Sequence, residues 1–206
     1  MIEIEGLKLE ESDFVYKPAE DSFLAINAIK KALGKKTGME ILDMGTGTGI
    51  LGLYAAKLCN AKRLILADIS KSACKLAKKN YEANKDKIGS TKVAVVKSNL
   101  FDKIDGKFDL IIFNAPYLPE VDFFGLGRAW SGGRRGIEIS VKFLKEVEGH
   151  LKRGGRIILI ASSLSDFEGL KKEIEELGYA VEEMLKEHYF FEDIMALILA
   201  RARVKE

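Results

Sequence analysis

Apolar runs of strand length alternate with longer segments of helical periodicity along the chain after residue 38. The strand-like runs are residues 40–44, 64–68, 92–97, 108–114 and 156–161, and the helical segments are residues 49–58, 70–84, 136–151 and 166–177. This alternation is typical of a mostly parallel sheet with helices on both faces, because successive parallel strands need a long crossover connection. The sequence therefore predicts an α/β fold.

Both ends of the chain depart from this alternation. Residues 179–185 and 194–200 are strand-like, with almost no room for a helix between them, so they predict an antiparallel hairpin. Residues 1–37 combine a short alternating run at 2–9 with a helical pattern over 20–33. Because no linker or shift in composition divides the 206 residues, we expect one domain, 1–206.

Composition excludes several classes of protein. Hydrophobic residues make up 47% and charged residues 31%, as in soluble globular proteins, and a net charge of +2 does not indicate a polyanionic partner. No apolar run reaches the roughly 18 residues of a membrane span, and the first residues lack the order of a secretory signal, so we expect a cytoplasmic protein without membrane contact. Cys59 and Cys74 have no neighbouring ligands, and no metal site is expected.

A glycine-rich turn follows the first strand of the alternating region. Gly45, Gly47 and Gly49 permit positive φ and close approach of the backbone to a ligand. Residues 47–52 also satisfy the dinucleotide pattern G-x-G-x-x-G, which alone is a weak signal. Asp43 favours another ligand, because a carboxylate would repel a pyrophosphate but attract the cationic amino group of a methionine moiety. We therefore expect S-adenosylmethionine, with a nicotinamide-dependent oxidoreductase as a remote alternative.

Further ligand contacts are predicted at the ends of the next two strands. Asp68 can accept both ribose hydroxyls, or it could instead cap the following helix. Ile69, its neighbour, is assigned to the same site. Asn99 and Leu100 follow the third strand, where an amide and an apolar side chain could contact adenine. Alternatively, Asn99 is a loop residue that bonds its own backbone.

The strand at residues 108–114 runs into Asn114-Ala115-Pro116-Tyr117, the predicted catalytic residues. An amide or exocyclic amine nitrogen is a poor nucleophile because its lone pair is delocalised, so an enzyme must orient both of its N–H bonds. The side-chain carbonyl of Asn114 can accept one N–H and the backbone carbonyl of Ala115 the other. Pro116 favours an extended Ala115, and Tyr117 offers a flat face for a planar group. Asn114 is also expected to contact the cofactor.

The acceptor class stays open at this level. In isolation, such a tetrapeptide is more often a proline-stopped strand end, but its place two strands after Asp68, beside the glycine loop, favours catalysis. The same residues would suit an adenine or guanine amine in nucleic acid, delivered by base flipping. Arg128, Arg134 and Arg135 could then bind phosphate, or they could recognise an acidic protein surface.

Taken together, these features resemble the HemK-like amino-methyltransferases, and within them a short branch. Residues 114–117 are similar to the family's Asn-Pro-Pro-Tyr, residues 16–22 to the branch's Tyr-x-Pro-Ala-Glu-Asp-Thr, and residues 129–136 to its Ala-Trp-x-Gly-Gly-Arg-x-Gly. Without the resemblance, Glu20 and Asp21 would be ordinary acids of a first helical turn, and Trp130 a core residue.

The resemblance implies a fold and a cofactor. The fold is that of class I S-adenosylmethionine-dependent methyltransferases: Rossmann-like, with a mostly parallel seven-stranded sheet and an antiparallel C-terminal strand. Residues 1–37 would cover the cofactor, and the resemblance assigns Tyr16, Pro18, Glu20 and Ser22 to its binding.

The resemblance also implies an acceptor and a partner. The branch methylates the glutamine of the Gly-Gly-Gln motif in class I release factors of the archaeal and eukaryotic type. It pairs with a small zinc-binding activator protein, and 206 residues leave no room for the substrate-recognition domain of longer relatives. Two departures stand out. Ala115 replaces a proline but keeps the carbonyl, and Asn99 replaces the usual aspartate, which should alter affinity more than activity.

Overall fold

Parallel pairing of the buried apolar runs builds the central sheet. A computed structural model describes residues 1–119 and 132–202 of the chain. The strands are β1 (Ile2–Ile4), β2 (Leu7–Leu9), β3 (Glu40–Met44), β4 (Arg63–Asp68), β5 (Lys92–Lys97), β6 (Phe108–Phe113), β7 (Leu151–Ser162), β8 (Tyr179–Tyr189) and β9 (Glu192–Arg201). Strands β1 and β2 form a small antiparallel hairpin, and the other seven form one sheet in the order β5-β4-β3-β6-β7-β9-β8. The pairs from β5 to β7 are parallel, whereas β9 is antiparallel to both β7 and β8, which confirms the predicted fold class.

The helices follow the predicted order with small differences at their ends. They are α1 (Glu20–Leu33), α2 (Ile50–Cys59), α3 (Lys71–Glu82), α4 (Lys85–Ile88), α5 (Glu138–Glu146) and α6 (Phe167–Glu176). The helix predicted over 70–84 is interrupted near Asn84, whose buried side chain is held by Lys8. The helix predicted over 136–151 ends in a 3-10 turn, Val147–His150, because β7 begins at Leu151. No helix in the described part of the chain has the length and apolar character that crossing a membrane requires.

Alternate residues of the strands point to opposite faces of the sheet and form two separate cores. On one face, Ile41 and Leu110 join the cluster that contains the apolar sides of α1 and α2. On the other face, Leu42 and Ile111 join the cluster beneath α5 and α6. Helix α1 is therefore part of the core, and the cofactor-covering role of residues 1–37 stays a prediction.

Two buried asparagines of the α3–α4 region fasten the N-terminal segment to the domain. The Asn84 side chain exchanges hydrogen bonds with the backbone of Lys8 at 2.9 and 2.7 Å. The Asn80 amide does the same with Glu10 at 2.8 and 3.1 Å, and also donates to the carbonyl of Thr48 at 2.9 Å. Because Thr48 belongs to the glycine loop, the N-terminal segment and that loop are fixed relative to one another.

A buried carboxylate organises the turn between β3 and α2. The Asp43 Oδ2 atom accepts hydrogen bonds from the Thr46 hydroxyl at 2.6 Å and the Gly52 N–H at 2.9 Å. A Cβ on Gly52 would lie 2.5 Å from Leu66 and 2.8 Å from the Asp43 Cβ. The last glycine of the G-x-G-x-x-G match is therefore needed where α2 packs on the sheet.

The close approach at Gly52 generates a stability prediction. We expect Gly52→Ala to lower the free energy of unfolding by about 1–3 kcal/mol, because overpacking at β4 outweighs the gain in helix propensity. The matched control is Gly149→Ala, since a Cβ at Gly149 meets no atom within 4 Å. Urea denaturation compares the two variants, and equal stability of both would contradict this account of Gly52.

Asp43 generates a prediction about pH. Burial raises the pKa of its carboxyl from 3.8 to about 7, against the effect of the hydrogen bonds from Thr46 and Gly52. Because the folded state then binds the proton more tightly than the unfolded state, this group's contribution to stability is lost as pH rises from about 4 to about 7. We expect Asp43→Asn to gain stability relative to the wild type across this interval, by at most about 4 kcal/mol.

The control for Asp43 is Asp105→Asn, a substitution of an exposed carboxylate. Chemical denaturation at several pH values between 4 and 8 measures both variants against the wild type. A stability difference between Asp43→Asn and the wild type that does not change with pH would refute the prediction.

Candidate active site

Three adjacent strands, β4, β3 and β6, bring the predicted site residues to the carboxyl edge of the sheet. The chain passes from β3 to β4 and β5 on one side and then returns to place β6 on the other side of β3. In open α/β sheets, ligands bind at such a reversal of strand order. Asp68 ends β4, the glycine loop follows β3, and Asn114 follows β6. The topology therefore places these predicted residues around one crevice.

The glycine loop has the backbone conformation that its sequence predicts. Gly45, Gly47 and Gly49 have φ values of 65°, 53° and 88°, which favour glycine. A Cβ at Gly47 would have no neighbour nearer than 3.9 Å, where the side chain of Val15 lies above the loop. The backbone at this point is open to a ligand, and the segment before α1 passes over it.

Asp68 is bound to the loop rather than serving as the cap of α3. Its Oδ2 atom accepts from the Gly47 N–H at 3.0 Å and its Oδ1 atom from the Ser70 N–H at 2.8 Å. The N-cap is Ser70, whose hydroxyl accepts from the Ala73 N–H at 3.3 Å. The alternative interpretation of Asp68 as a helix cap is therefore wrong, and its role as a ribose acceptor stays a prediction.

The geometry changes the interpretation of Asp43. Its charge was the reason to expect a cationic ligand rather than a pyrophosphate. In the structure the side chain is buried beneath the loop, and burial raises the pKa of its carboxyl to about 7, which disfavours the charged form. Asp43 shapes the loop, and the electrostatic argument for the ligand is weaker than the sequence suggested.

The residues predicted to contact adenine differ in exposure. Ile69 and Asn99 are exposed at the ends of β4 and β5. Leu100 is buried within the core cluster beneath α5 and has a φ of 44°, which is unusual for a leucine. Its contact with a ligand, like those of Ile69 and Asn99, stays a prediction.

A buried carboxylate that was not among the predicted site residues holds the tetrapeptide 114–117, which the sequence predicts to be catalytic. The Asp21 side chain is only 2% exposed, and its Oδ2 atom accepts from the Asn114 Nδ2 at 3.0 Å and the Tyr117 hydroxyl at 3.3 Å. Its Oδ1 atom accepts from the backbone N–H and the hydroxyl of Ser22 at 2.6 and 3.1 Å. Asp21 thus ties the start of α1 to the end of β6.

This contact determines which end of the Asn114 amide faces the crevice. An ionised carboxylate only accepts hydrogen bonds, so the NH₂ group must point toward Asp21. The Asn114 Oδ1 atom is buried and has no hydrogen-bond partner in the described part of the chain. A buried acceptor without a partner is costly, and here it is the acceptor that the sequence assigned to a substrate N–H.

Two tyrosines lie beside the same carboxylate. Burial raises the pKa of Tyr117 above its ordinary value, and the nearby charge of Asp21 raises it further. The pKa of Tyr16 is raised for the same two reasons, in the same order. Both phenols therefore stay protonated at physiological pH. In this form their hydroxyls can donate hydrogen bonds, and their rings present flat faces.

The other residues predicted near the start of α1 have different surroundings. The Ser22 hydroxyl accepts from the Ala19 N–H at 3.4 Å and so helps to begin α1. Glu20 is exposed, and Pro18 is half-buried. Asp21 is more than an ordinary first-turn acid, because its carboxylate accepts hydrogen bonds from Asn114 and Tyr117. Contact of Glu20 with the cofactor stays a prediction. The signal that could have identified Asp21 is its place within the segment 16–22.

The glycine-rich segment after the tetrapeptide packs directly against it. A Cβ on Gly132 would lie 2.5 Å from the Pro116 carbonyl oxygen, and one on Gly136 would lie 2.6 Å from the Tyr117 carbonyl oxygen. These two glycines let the chain pass close to the catalytic backbone. The predictions for Arg128, Ala129, Trp130 and Ser131 lie outside the described residues.

The two described arginines that could bind phosphate differ in their surroundings. Arg135 forms an ion pair with Asp166, with its Nη2 2.6 Å from Oδ2, and its backbone N–H donates to Glu138 at 3.0 Å. Arg134 is exposed. Because Asp166 already neutralises Arg135, the described part of this segment offers little net positive charge.

Comparison with known proteins identifies the family. The methyltransferase small domain model matches residues 23–191. The chain is 36% identical over 202 residues to the "Putative protein N5-glutamine methyltransferase" of Methanocaldococcus jannaschii, covering 96% of this chain and 97% of that protein. It is 31% identical over 170 residues to the human methyltransferase HEMK2, covering 80% of this chain and 79% of that one.

A solved structure shares the fold. The complex of Mtq2 and Trm112 from E. cuniculi, described as responsible for methylation of the eRF1 translation termination factor, aligns with a TM-score of 0.65 and 20% identity over 91% of this chain and 99% of that chain. The resemblance to HemK-like proteins is thus confirmed, and the family and fold imply the use of S-adenosylmethionine. The chain belongs to the methyltransferase small domain family, among relatives of the short HemK-like branch.

Proposed function

We propose that this chain transfers a methyl group from S-adenosylmethionine to the side-chain amide nitrogen of a glutamine in a class I peptide-chain release factor. The observation that carries the proposal is the buried Oδ1 atom of Asn114 at the carboxyl edge of the sheet, which has no hydrogen-bond partner among residues 1–119 and 132–202. The relatives' names support the acceptor, since they include glutamine methyltransferases and an eRF1 methyltransferase catalytic subunit. The expected cytoplasmic location is part of this proposal.

The residues at the crevice fit S-adenosylmethionine. The glycine loop exposes backbone without side chains, and the Asp68 carboxylate lies beside it where ribose hydroxyls would need acceptors. We assign cofactor binding to Gly45, Gly47, Asp68, Ile69 and Asn99, and to Tyr16 and Pro18 in the segment that passes over the loop. When bound, the cofactor supplies a methyl group that its sulfonium centre has already activated.

Asn114 and its neighbours would orient the acceptor amide. The Asn114 Oδ1 atom accepts one N–H and the Ala115 carbonyl the other, which turns the nitrogen lone pair toward the methyl group. The face of Tyr117 supports the planar amide, and its hydroxyl is held by Asp21. Fixed orientation of this kind supplies much of the rate in a transfer between two bound groups. The glutamine nitrogen would form one N–C bond as the sulfonium S–C bond breaks and S-adenosylhomocysteine is left, and it would lose one proton to solvent.

A small activator subunit is included in the proposal. The E. cuniculi relative was solved as a complex with Trm112, and the fission yeast relative is named a catalytic subunit. We propose that this chain also works with a small zinc-binding partner of that kind.

A nucleic-acid base is less well supported as the acceptor. The described basic residues after the tetrapeptide include Arg135, which is paired with Asp166, and the Asp21 carboxylate lies against Asn114. The nicotinamide alternative conflicts with the family to which the chain belongs.

The test is transfer of labelled methyl from S-adenosylmethionine to a release factor with an intact Gly-Gly-Gln loop, with and without the activator. We expect label on the intact factor and none on a Gln→Ala factor. Asn114→Ala should still bind the cofactor by calorimetry but lose at least about 100-fold in kcat, because a positioned hydrogen-bonding group is removed. Absence of label in all conditions, with cofactor binding confirmed, would refute the release-factor assignment.

Asp21 generates a second prediction. Asp21→Asn keeps the shape but can donate as well as accept, so the Asn114 amide no longer has one preferred orientation. We expect kcat to fall by about 10- to 100-fold with little change in cofactor affinity or melting temperature. Asp86→Asn, at an exposed acid in the first turn of α4, is the matched control and should retain full activity. Full activity in Asp21→Asn would show that the carboxylate does not position Asn114.

A further inference from the structure

The hairpin of β8 and β9 projects beyond the sheet on the side of the active site. Strand β9 is antiparallel to both β7 and β8, so β8 runs in the same direction as β6 and its turn lies at the carboxyl edge. The last pair between β7 and β9 is Ser162 with Ile194, but β8 and β9 continue to the pair Tyr189 and Glu192. Two further residues extend the hairpin by about 7 Å before its turn.

The turn carries two adjacent phenylalanines in solvent. Phe190 and Phe191 are 91% and 92% exposed, the highest values among the large apolar side chains of the described residues. Phe190 also has a φ of 47°, in the left-handed region that bulky residues avoid. The two-residue turn between the paired Tyr189 and Glu192 requires a positive φ at this position, so turn geometry accounts for it. Packing within the chain does not account for two adjacent exposed aromatic side chains, and exposed apolar groups of this kind mark contact sites.

The residues on either side of the turn connect it to the active site. Tyr189 packs against the core cluster that Tyr117 also contacts. The Glu192 Oε2 atom accepts from the Ser162 hydroxyl at 2.5 Å. Burial and the charge of Asp21 are the main causes of the raised pKa of Tyr117, and the charge of Glu192 raises this pKa further. The Glu192 carboxylate therefore lies within electrostatic range of Tyr117. The tip is therefore anchored beside the candidate site.

The charges on the rim of the candidate site near this tip are mostly negative. Glu20 and Glu187 both lie near Tyr189, the latter accepting a hydrogen bond from its hydroxyl, and Glu192 is on the next strand. Near the turn, Lys186 forms an ion pair with Asp193, and the His188 ring contacts the same carboxylate. Such a rim repels phosphate and favours a polypeptide with neutral or basic residues.

We propose that Phe190 and Phe191 form a docking tip for the acceptor protein. This tip contacts an apolar segment of the acceptor polypeptide beside the methylated glutamine. The proposal rests on the proposed function and adds a substrate-recognition element to it. Continuity with the active site, apolar character and the acidic rim together favour a protein rather than a nucleic acid as the occupant.

The test is steady-state methyl transfer to an intact release factor by the Phe190→Ser/Phe191→Ser double variant, with the activator present. We expect KM for the factor to rise at least about tenfold, while kcat at saturation and the Kd for S-adenosylmethionine stay within twofold of the wild type. The melting temperature should not fall, because both side chains are exposed. The matched control, Val181→Ser/Met184→Ser, alters two exposed apolar residues of β8 away from the turn and should behave as the wild type.

The outcomes separate this inference from the proposed function. If the wild type methylates the factor and the tip variant has an unchanged KM, the docking tip is refuted and the function stands. An equal rise in KM in the control variant would also refute it, because the effect would not be specific to the tip. If the wild type methylates an oligonucleotide and leaves the factor unmodified, both the function and the docking tip are overturned.

Discussion

The site depends on the parallel pairing of β3 with both β4 and β6. This pairing brings three carboxyl ends to one edge, so that the glycine loop, Asp68 and Asn114 lie in adjacent positions although they are far apart in sequence. The N-terminal segment is fixed to the same edge by Asn80, which bonds both Glu10 and Thr48. Any shift of one strand against the next would separate a cofactor contact from an acceptor contact.

Three buried acids at this edge differ in function because their hydrogen-bond partners differ. Asp43 accepts from groups of its own turn and lies deepest, so burial raises its pKa and its charge contributes little to ligand binding. Asp68 accepts from two backbone N–H groups beside the open loop. Asp21 accepts from side chains of the catalytic tetrapeptide. Residue type alone does not distinguish these roles.

The sequence predicted the order of elements, the positive φ of the glycines and the meeting of Asp68 with the loop, because periodicity and strand direction determine them. It did not predict that Asp21 would reach Asn114, since that contact joins residues 93 positions apart through tertiary packing. Nor could it show that Gly132 is needed by the Pro116 carbonyl, or that β8 continues to Tyr189. Residues 186–188 are all polar and so lack the alternation of apolar and polar residues that predicts a strand. An edge strand can have such a sequence because it exposes both of its faces.

The asparagine at the end of β6 meets two requirements at once. Its amide donates to Asp21, and in the proposed function its remaining oxygen accepts from a substrate N–H. An aspartate at position 114 would place two carboxylates side by side, which would force one of them to take up a proton and remove a fixed acceptor. A serine or threonine has one oxygen and would have to use it for both partners. An amide separates donor from acceptor, so the contact that anchors Asn114 also determines where its acceptor points.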